Sequence, residues 1–425
     1  MLNHRGNSLL TTASIFALLA GGCATSYPLP PAAEATPNAG HTVDGPANED
    51  PRGSAVHNSA STFGHRIAEQ AEKDSGWSAS SNAALAQRRD GWSQRLAAAP
   101  ERLAATPTDD SASTLVDGLE NLSQLTFAQE GADFDPRLST DGKWLVFAST
   151  QHRDTPDLYI KPVGSRTVTQ LTADPASDIM PAISPDGSKI AFASNRNGTW
   201  NLYLMSTAGG QAVQLSTQNV PELHPSWSPD GQRLIFSRLG QTTGRWELWV
   251  MEVSKPQVAE FVGFGLFPEW CPTAGTGADK HDRILFQRGR ERGDRAFSLW
   301  TIDYKPGNVG NPTEIVSARD RATINAAWSP NGQFVVYSTV AVNQQGPSAP
   351  ADLWIAAVDG SAQIRLTAGN AQNLMPAWSS DNRIYFVSSR GGADHIWSIT
   401  ADKALAAAGA AGTPQTGMAT APAGE

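Results

Sequence analysis

Pro225-Ser226-Trp227-Ser228-Pro229-Asp230-Gly231 is the stretch on which the fold turns, because the chain writes its second half again and again. Ser184-Pro185-Asp186-Gly187 and Ser329-Pro330-Asn331-Gly332 are close copies, and Ser139-Thr140-Asp141-Gly142 and Ser379-Ser380-Asp381-Asn382 are looser ones. Tight-turn chemistry accounts for the wording: proline presets φ at the second position, Asp or Asn is tolerated at the third, and glycine accepts positive φ at the fourth. An apolar, β-branched run follows each turn and reads as a strand, at Trp144 to Ala148, Ile190 to Ala193, Leu234 to Ser237, Phe334 to Ser338 and Ile384 to Val387. The next strand is marked by an apolar residue followed by Tyr or Trp: Leu158-Tyr159, Leu202-Tyr203, Leu248-Trp249, Leu299-Trp300, Leu353-Trp354 and Ile396-Trp397. A short outer strand then ends on Gln170-Leu171-Thr172, Gln214-Leu215-Ser216 or Arg365-Leu366-Thr367.

From Asp141 the turns recur after 45, 44, 101 and 50 residues, so the long interval holds two repeats. The missing copy is Pro268-Glu269-Trp270-Cys271-Pro272, where a Gly-rich insertion through Gly277 replaces the turn. Cys271 falls in the slot of Ser228 and Ser329, which makes it a packing residue and not a nucleophile. Six four-stranded units with no helical period between them predict an all-β fold, a six-bladed β-propeller of antiparallel blades over residues 121–400. The sixth repeat stops at Ile399 one strand short. Leu122-Ser123-Gln124-Leu125-Thr126, ahead of the first repeat, spells the missing outer strand, so the N-terminal strand is expected to complete the last blade.

The composition around this block limits the possible partners. The chain has 425 residues, a net charge of −9 and 17% charged residues, which argues against nucleic acid as a ligand. Of its 13 Trp, 11 lie between 121 and 400. Two cysteines, Cys23 and Cys271, supply neither a disulfide framework nor a Cys-rich zinc site. Residues 24–120 hold 13 acids and 7 bases and are rich in Ala, Ser and Pro; they read as a tether with short helices at most. Residues 401–425 read as a disordered Ala/Gly tail.

Residues 1–23 carry His4 and Arg5, then an apolar run from Leu9 to Ala20, too short to span a bilayer but suited to a secretory signal. Leu19-Ala20-Gly21-Gly22-Cys23 resembles the bacterial lipobox, with Leu one position earlier than usual. The resemblance implies lipid modification of Cys23, hence a periplasm-facing chain of the cell envelope held to a membrane.

Pro225 to Gly231, Ser194-Asn195-Arg196 and Asp352-Leu353-Trp354 are similar to the repeat of the TolB family, over about residues 121–400. The resemblance implies a six-bladed propeller of the bacterial envelope that docks a peptidoglycan-associated lipoprotein or other Tol component, or peptidoglycan, as a monomer without cofactor or catalysis. Residues 24–120 do not resemble the α/β domain that precedes the propeller in TolB, and Cys23 departs from TolB's soluble character. The same repeats occur in prolyl oligopeptidases, but no Gly-x-Ser-x-Gly is present and only 25 residues follow the sixth repeat.

Connections into each first strand open on the face opposite the Asp-Gly turns. There Asp133, Asp178, Glu222 and Asn373 stand three residues before Pro136, Pro181, Pro225 and Pro376, and His224 directly precedes Pro225. These five are the candidate binding residues of a polar channel mouth, suited to a cation, a basic peptide end or a sugar; the plainer alternative is that each caps its loop. An enzyme of lactonase or lyase type, using a cation at Asp133, Asp178 and Glu222, is the competing function. Asp157, Asn201, Glu247, Asp352 and His395 share one slot at the start of the third strands and are expected to make structural hydrogen bonds. Arg288, Arg290, Arg292 and Arg295, and the loop from Val340 to Ala351, are long excursions on the channel-mouth face.

Overall fold

The computed structural model describes residues 114–115, 121–289, 297–341 and 350–411. The signal and lipobox, most of the tether, Arg290, Arg292, Arg295, residues 342–349 and the last 14 residues lie outside the described residues.

Each repeat folds as one antiparallel sheet. Blade one is Asp133–Leu138, Trp144–Ser149, Asp157–Pro162 and Thr169–Gln170; blade two is Asp178–Ile183, Lys189–Ser194, Asn201–Ser206 and Val213–Gln214. Blade three is Glu222–Trp227, Arg233–Leu239, Trp246–Glu252 and Lys255–Phe264, and blade four is Leu266–Trp270, Asp282–Gly289, Phe297–Lys305 and Asn308–Val316. Blade five holds Arg321–Trp328, Phe334–Ala341, Ala351–Ala357 and Gln363–Arg365; blade six holds Asn373–Trp378, Arg383–Ser388 and His395–Thr400. Each first strand packs against the first strands of the neighbouring blades, and that of blade six meets that of blade one. The fold is a six-bladed β-propeller.

The repeated turn works as its wording implies. Ser139, Ser184 and Ser228 Oγ donate to Oδ1 of Asp141, Asp186 and Asp230 at 2.6, 2.5 and 2.5 Å, and Ser329 Oγ donates to Asn331 at 2.7 Å. Each serine oxygen accepts in turn from the first N–H of the second strand, at Trp144, Lys189, Arg233 and Phe334. The fourth position has φ of 67° to 73° at Gly142, Gly187, Gly231 and Gly332, and in the sixth copy Asn382 takes φ 59° in its place. Cys271 occupies the serine slot, wholly buried, with its N–H on Arg283 O.

The Gln-Leu-Thr ending is equally regular. Leu171, Leu215 and Leu366 donate N–H to the carbonyls of Leu158, Leu202 and Leu353 at 2.8 Å, and the following Thr172, Ser216 and Thr367 hydroxyls accept the N–H of those same residues at 2.9 Å. At the seam, Ser123–Gln124 pairs antiparallel with Trp397 and Ser398, Leu125 N–H donates to Ile396 O at 2.8 Å, and Ile396 N–H donates to Thr126 Oγ1 at 2.9 Å. The outer place of blade six is therefore held by residues from before blade one. Lys161, buried in blade one, adds Nζ to Leu125 O at 2.5 Å.

Two expectations about the flanks are corrected. Residues 24–120 read as a tether with short helices at most, but within them Thr114–Leu115 forms a strand parallel to Ile364–Arg365, a fifth strand on blade five that satisfies the polar edge of a short outer strand. Residues 401–425 were expected to be disordered, but Asp402–Ala411 is an α-helix. Ala404 and Ala408, with Ala401 just ahead of the helix, make a buried stripe against Ile364, Leu366 and Ile399. Alanine is both the strongest helix former and a low-complexity residue, and composition alone weighed the second property.

Candidate functional site

The axis of the ring is lined by first strands, and all six carry the same irregularity. Pairing with the second strand skips two residues, between Phe134 and Arg137, Ile179 and Ala182, Leu223 and Ser226, Leu266 and Glu269, Ile324 and Ala327, and Leu374 and Ala377. The first skipped residue is left-handed every time: Asp135 φ 52°, Met180 54°, His224 56°, Phe267 49°, Asn325 48° and Met375 52°. A bulge of this kind re-aims one side chain, and these six line a single axial cavity.

Charge enters the cavity from blades one and four, which stand opposite each other in the ring. Arg137 Nη2 lies 2.5 Å from Glu269 Oε1, and Ser226 Oγ donates to Glu269 Oε2 at 3.3 Å. Burial pushes the Glu269 carboxyl up, with Arg137 and then Ser226 opposing. Asp135 is pushed up to about 6 by burial, against Arg137 and a 3.0 Å hydrogen bond from Met180 N–H. His224 is pushed down to about 3 by burial and then by Arg137, so its imidazole is neutral across physiological pH. Its ring sits 3.7 Å from that of Phe267, centroid to centroid, and neither nitrogen has a hydrogen-bond partner. Asn325 Oδ1 is likewise buried without a partner.

Of the five candidate binding residues named from the sequence, only His224 lines this cavity. Asp133, Asp178, Glu222 and Asn373 are no more than 2% exposed, two residues away along their strands. Each is tied to a neighbour. Arg196 Nη2 donates to both oxygens of Asp178 at 2.9 Å, Arg238 Nε and Nη2 lie 2.7 and 2.6 Å from Glu222 Oε1, and Arg390 Nη2 donates to Asn373 Oδ1 at 2.8 Å. His395 Nδ1 is 3.1 Å from Asp133 Oδ2. The arginines come from the ends of the second strands and lie over Tyr203, Trp249 and Trp397, centroid distances 4.7, 4.5 and 5.3 Å. Burial pushes Asp178 and Glu222 up despite these partners. Asp133, Asp178 and Glu222 thus lie in buried pairs and not on an open polar rim, because a carboxylate so far from water needs its own partner.

The slot at the start of the third strands is structural. Asp157 accepts from Arg153 at 2.6 Å, Asp352 from Arg365 at 2.6 Å and Glu247 from Trp249 at 2.9 Å, while Asn201 donates to Thr199 O at 2.9 Å. Sequence reasoning missed Asp135, Asn325, Met180, Met375 and Phe267. The signal was present as the residue before Pro136, Pro181, Pro268 and Pro376, but those residues share no chemistry.

The architecture defines the class: a six-bladed propeller with a narrow, partly charged axial channel. Over residues 108–273 the chain matches the family model of the TolB beta propeller domain, PD40. In shape the chain is similar to a protein assigned as TolB from Agrobacterium tumefaciens, at 17% identity and TM-score 0.49, covering 65% of this chain and 96% of that one. It is similar to TolB from Acinetobacter baumannii at 19% identity and TM-score 0.48, covering 59% of this chain and 57% of that one. Oligogalacturonate lyase from Vibrio parahaemolyticus, at 12% identity and TM-score 0.47, covers 66% and 93%.

Proposed function

We propose that this protein is an anchored envelope protein that presents its propeller as a docking platform for another envelope protein, such as a peptidoglycan-associated lipoprotein or Tol-like component, or for peptidoglycan itself. The observation that carries the reading is the TolB-type propeller domain over residues 108–273. The lipobox-like Cys23 supports a membrane attachment through lipid, on the periplasmic side; no helix among the described residues is long and apolar enough to cross a membrane. The competing cation-dependent enzyme draws on Asp133, Asp178 and Glu222, and each of those carboxylates is committed to a His or Arg of the propeller itself.

Crosslinking in intact cells, followed by identification of what copurifies with the full chain, tests the platform. Recovery of an envelope protein or glycan that competes with free propeller supports it. Recovery of lipid alone under several crosslinking conditions sinks it. The anchor is tested separately: Cys23→Ser should move the protein from the membrane pellet to the soluble fraction, and unchanged pelleting would refute lipid attachment.

A further inference from the structure

Blades two and six carry the same arginine at the channel mouth in different company. Ser194-Asn195-Arg196 and Ser388-Ser389-Arg390 close the second strands of these blades, and each arginine donates Nε–H to its serine Oγ at 2.9 Å. Each guanidinium also lies over two rings: Arg196 over Phe192 and Tyr203 at 5.6 and 4.7 Å, Arg390 over Phe386 and Trp397 at 5.6 and 5.3 Å. Serine and stack together fix where the planar fork points. In blade two that fork meets two carboxylates, both oxygens of Asp178 at 2.9 Å and Asp174, from the loop ahead of the blade, at 2.8 Å. In blade six both are replaced. Thr172 and Thr367, which make the same bond to their third strands, set the register: Asn373 stands where blade two has Asp178, and Gly369 where it has Asp174.

The result is a guanidinium without a counter-charge. Arg390 Nη2 donates to Asn373 Oδ1 at 2.8 Å, an oxygen that also accepts from Ser388 Oγ at 2.9 Å. Asn373 is itself held, its Nδ2 donating to Ala351 O at 3.0 Å and Thr367 Oγ1 at 3.3 Å. Among the described residues no carboxylate bonds Arg390, and burial pushes its guanidinium below the usual arginine value with nothing acting against it. Nη1 makes no hydrogen bond, and Arg390 is only half-buried. The ground beside it is open: Gly369, Gly391 and Gly392 are exposed, and a Cβ built on Gly369 or Gly392 would meet nothing within 4 Å. A guanidinium fork matches a carboxylate in shape and charge, and such charge-assisted bonds are the strong ones.

We propose that Arg390 binds a carboxylate brought by a ligand, seated over Gly369 in the place that Asp174 holds in blade two. The carboxylate accepts from Nη1 and Nη2, while Ser388, Asn373, Phe386 and Trp397 keep the guanidinium in position. The site goes beyond the docking reading and does not rest on it, because a small carboxylate tests it with no partner present. The group can be the terminal carboxylate of a peptide or that of a glutamyl side chain, and the probes below separate the two sources.

Ligand-observed NMR titration of the full chain at pH 7.5 and low ionic strength provides the test, with N-acetyl-alanine, Nα-acetyl-glutamate α-amide and the neutral N-acetyl-alanine amide as probes. At least one acid should bind, and the neutral amide should bind at least tenfold more weakly. Binding of N-acetyl-alanine alone identifies a terminal carboxylate as the fit, binding of the glutamyl compound a side chain, and either supports the site. Arg390→Gln should weaken binding of the acid at least tenfold, with the folded state checked by its melting curve. Arg390→Lys, which keeps the charge and the stem on the rings but loses the fork, should weaken it at least threefold and stands in if the glutamine variant fails to fold. Arg166→Gln, at an exposed arginine ahead of the outer strand of blade one, should leave it unchanged. Equal binding of acid and neutral amide, full acid binding by a folded Arg390→Gln or Arg390→Lys protein, or no binding of either acid would overturn the proposal in favour of a guanidinium covered by water.

Discussion

Glu222 has no exposed surface and Arg238 is its counter-charge, so the two ways of breaking the pair should differ. Arg238→Met strands a buried carboxylate and should cost about 3–5 kcal/mol in urea unfolding at pH 7, whereas Glu222→Gln keeps a hydrogen-bonding partner and should cost less. A result in which the two cost the same would mean that the pair is not desolvated. Asp135 makes a pH-dependent prediction. Its folded value of about 6 lies above the ordinary 3.8, so the folded state binds this proton more tightly than the unfolded one. Its ionisation therefore leaves stability untouched below about 4, erodes it between about 4 and 6, and weighs fully above 6. Arg137, Glu269 and His224 share the cavity with it, and His224 stays neutral throughout that window. Asp135→Asn should thus be more stable than the parent by up to about 3 kcal/mol at pH 7.5, with the gap gone at pH 3.5. At Asn325, φ 48° predicts that Asn325→Gly is more stable than Asn325→Ala by about 1 kcal/mol, the reverse of the usual order within a strand.

The elements that matter most are the short ones. Ser123–Gln124 is two residues long, yet with Leu125 and Thr126 it repeats at the seam the bonds that the other Gln-Leu-Thr endings make inside their own blades. Deleting residues 121–127 should therefore lower the melting temperature far more than deleting 24–113; equal midpoints would show that the ring holds without this strand. The helix Asp402–Ala411 makes a weaker claim on the fold, since it docks one narrow alanine stripe on blades five and six. Ala404→Glu should cost about 1–3 kcal/mol, limited by the option of undocking the helix, and should expose residues 402–411 to proteolysis first. Much of this level was legible. Turn, strand and outer-strand signals are local chemistry, and each recurs, so that an irregular copy such as Pro268 to Pro272 could be placed by its neighbours. The helix was not legible because Ala401, Ala404 and Ala408 make a face only when a sheet edge lies beneath them.

At the scale of the molecule, the propeller brings one residue from each blade to a common axis. Trp227 Nε1–H donates to Ala182 O and Trp328 Nε1–H to Glu269 O, both at 2.9 Å, tying each of these blades to the one before it. Trp227→Phe removes this bond between two blades and should cost about 1 kcal/mol without changing the secondary structure seen by circular dichroism; no loss would mean that water replaces the indole. The arginine that pairs with Glu269 across the channel comes from the opposite blade, so opening that pair loosens the ring as a whole and not one sheet.

The number of blades, their four-stranded build and the repeated turn follow from the sequence alone, because hydrogen bonds between residues two to five apart and the alternation of apolar side chains are fixed before any blade meets another. The identity of the channel residues was decided only by tertiary structure. Asp133, Asp178 and Glu222 look like a polar rim until His395, Arg196 and Arg238 fold over them, and Asp135, Met180, His224, Phe267, Asn325 and Met375 look unrelated until six bulges turn them to one axis. A side chain's direction at a bulge, and the burial that makes a carboxylate seek a partner, exist only once the circle of sheets has assembled.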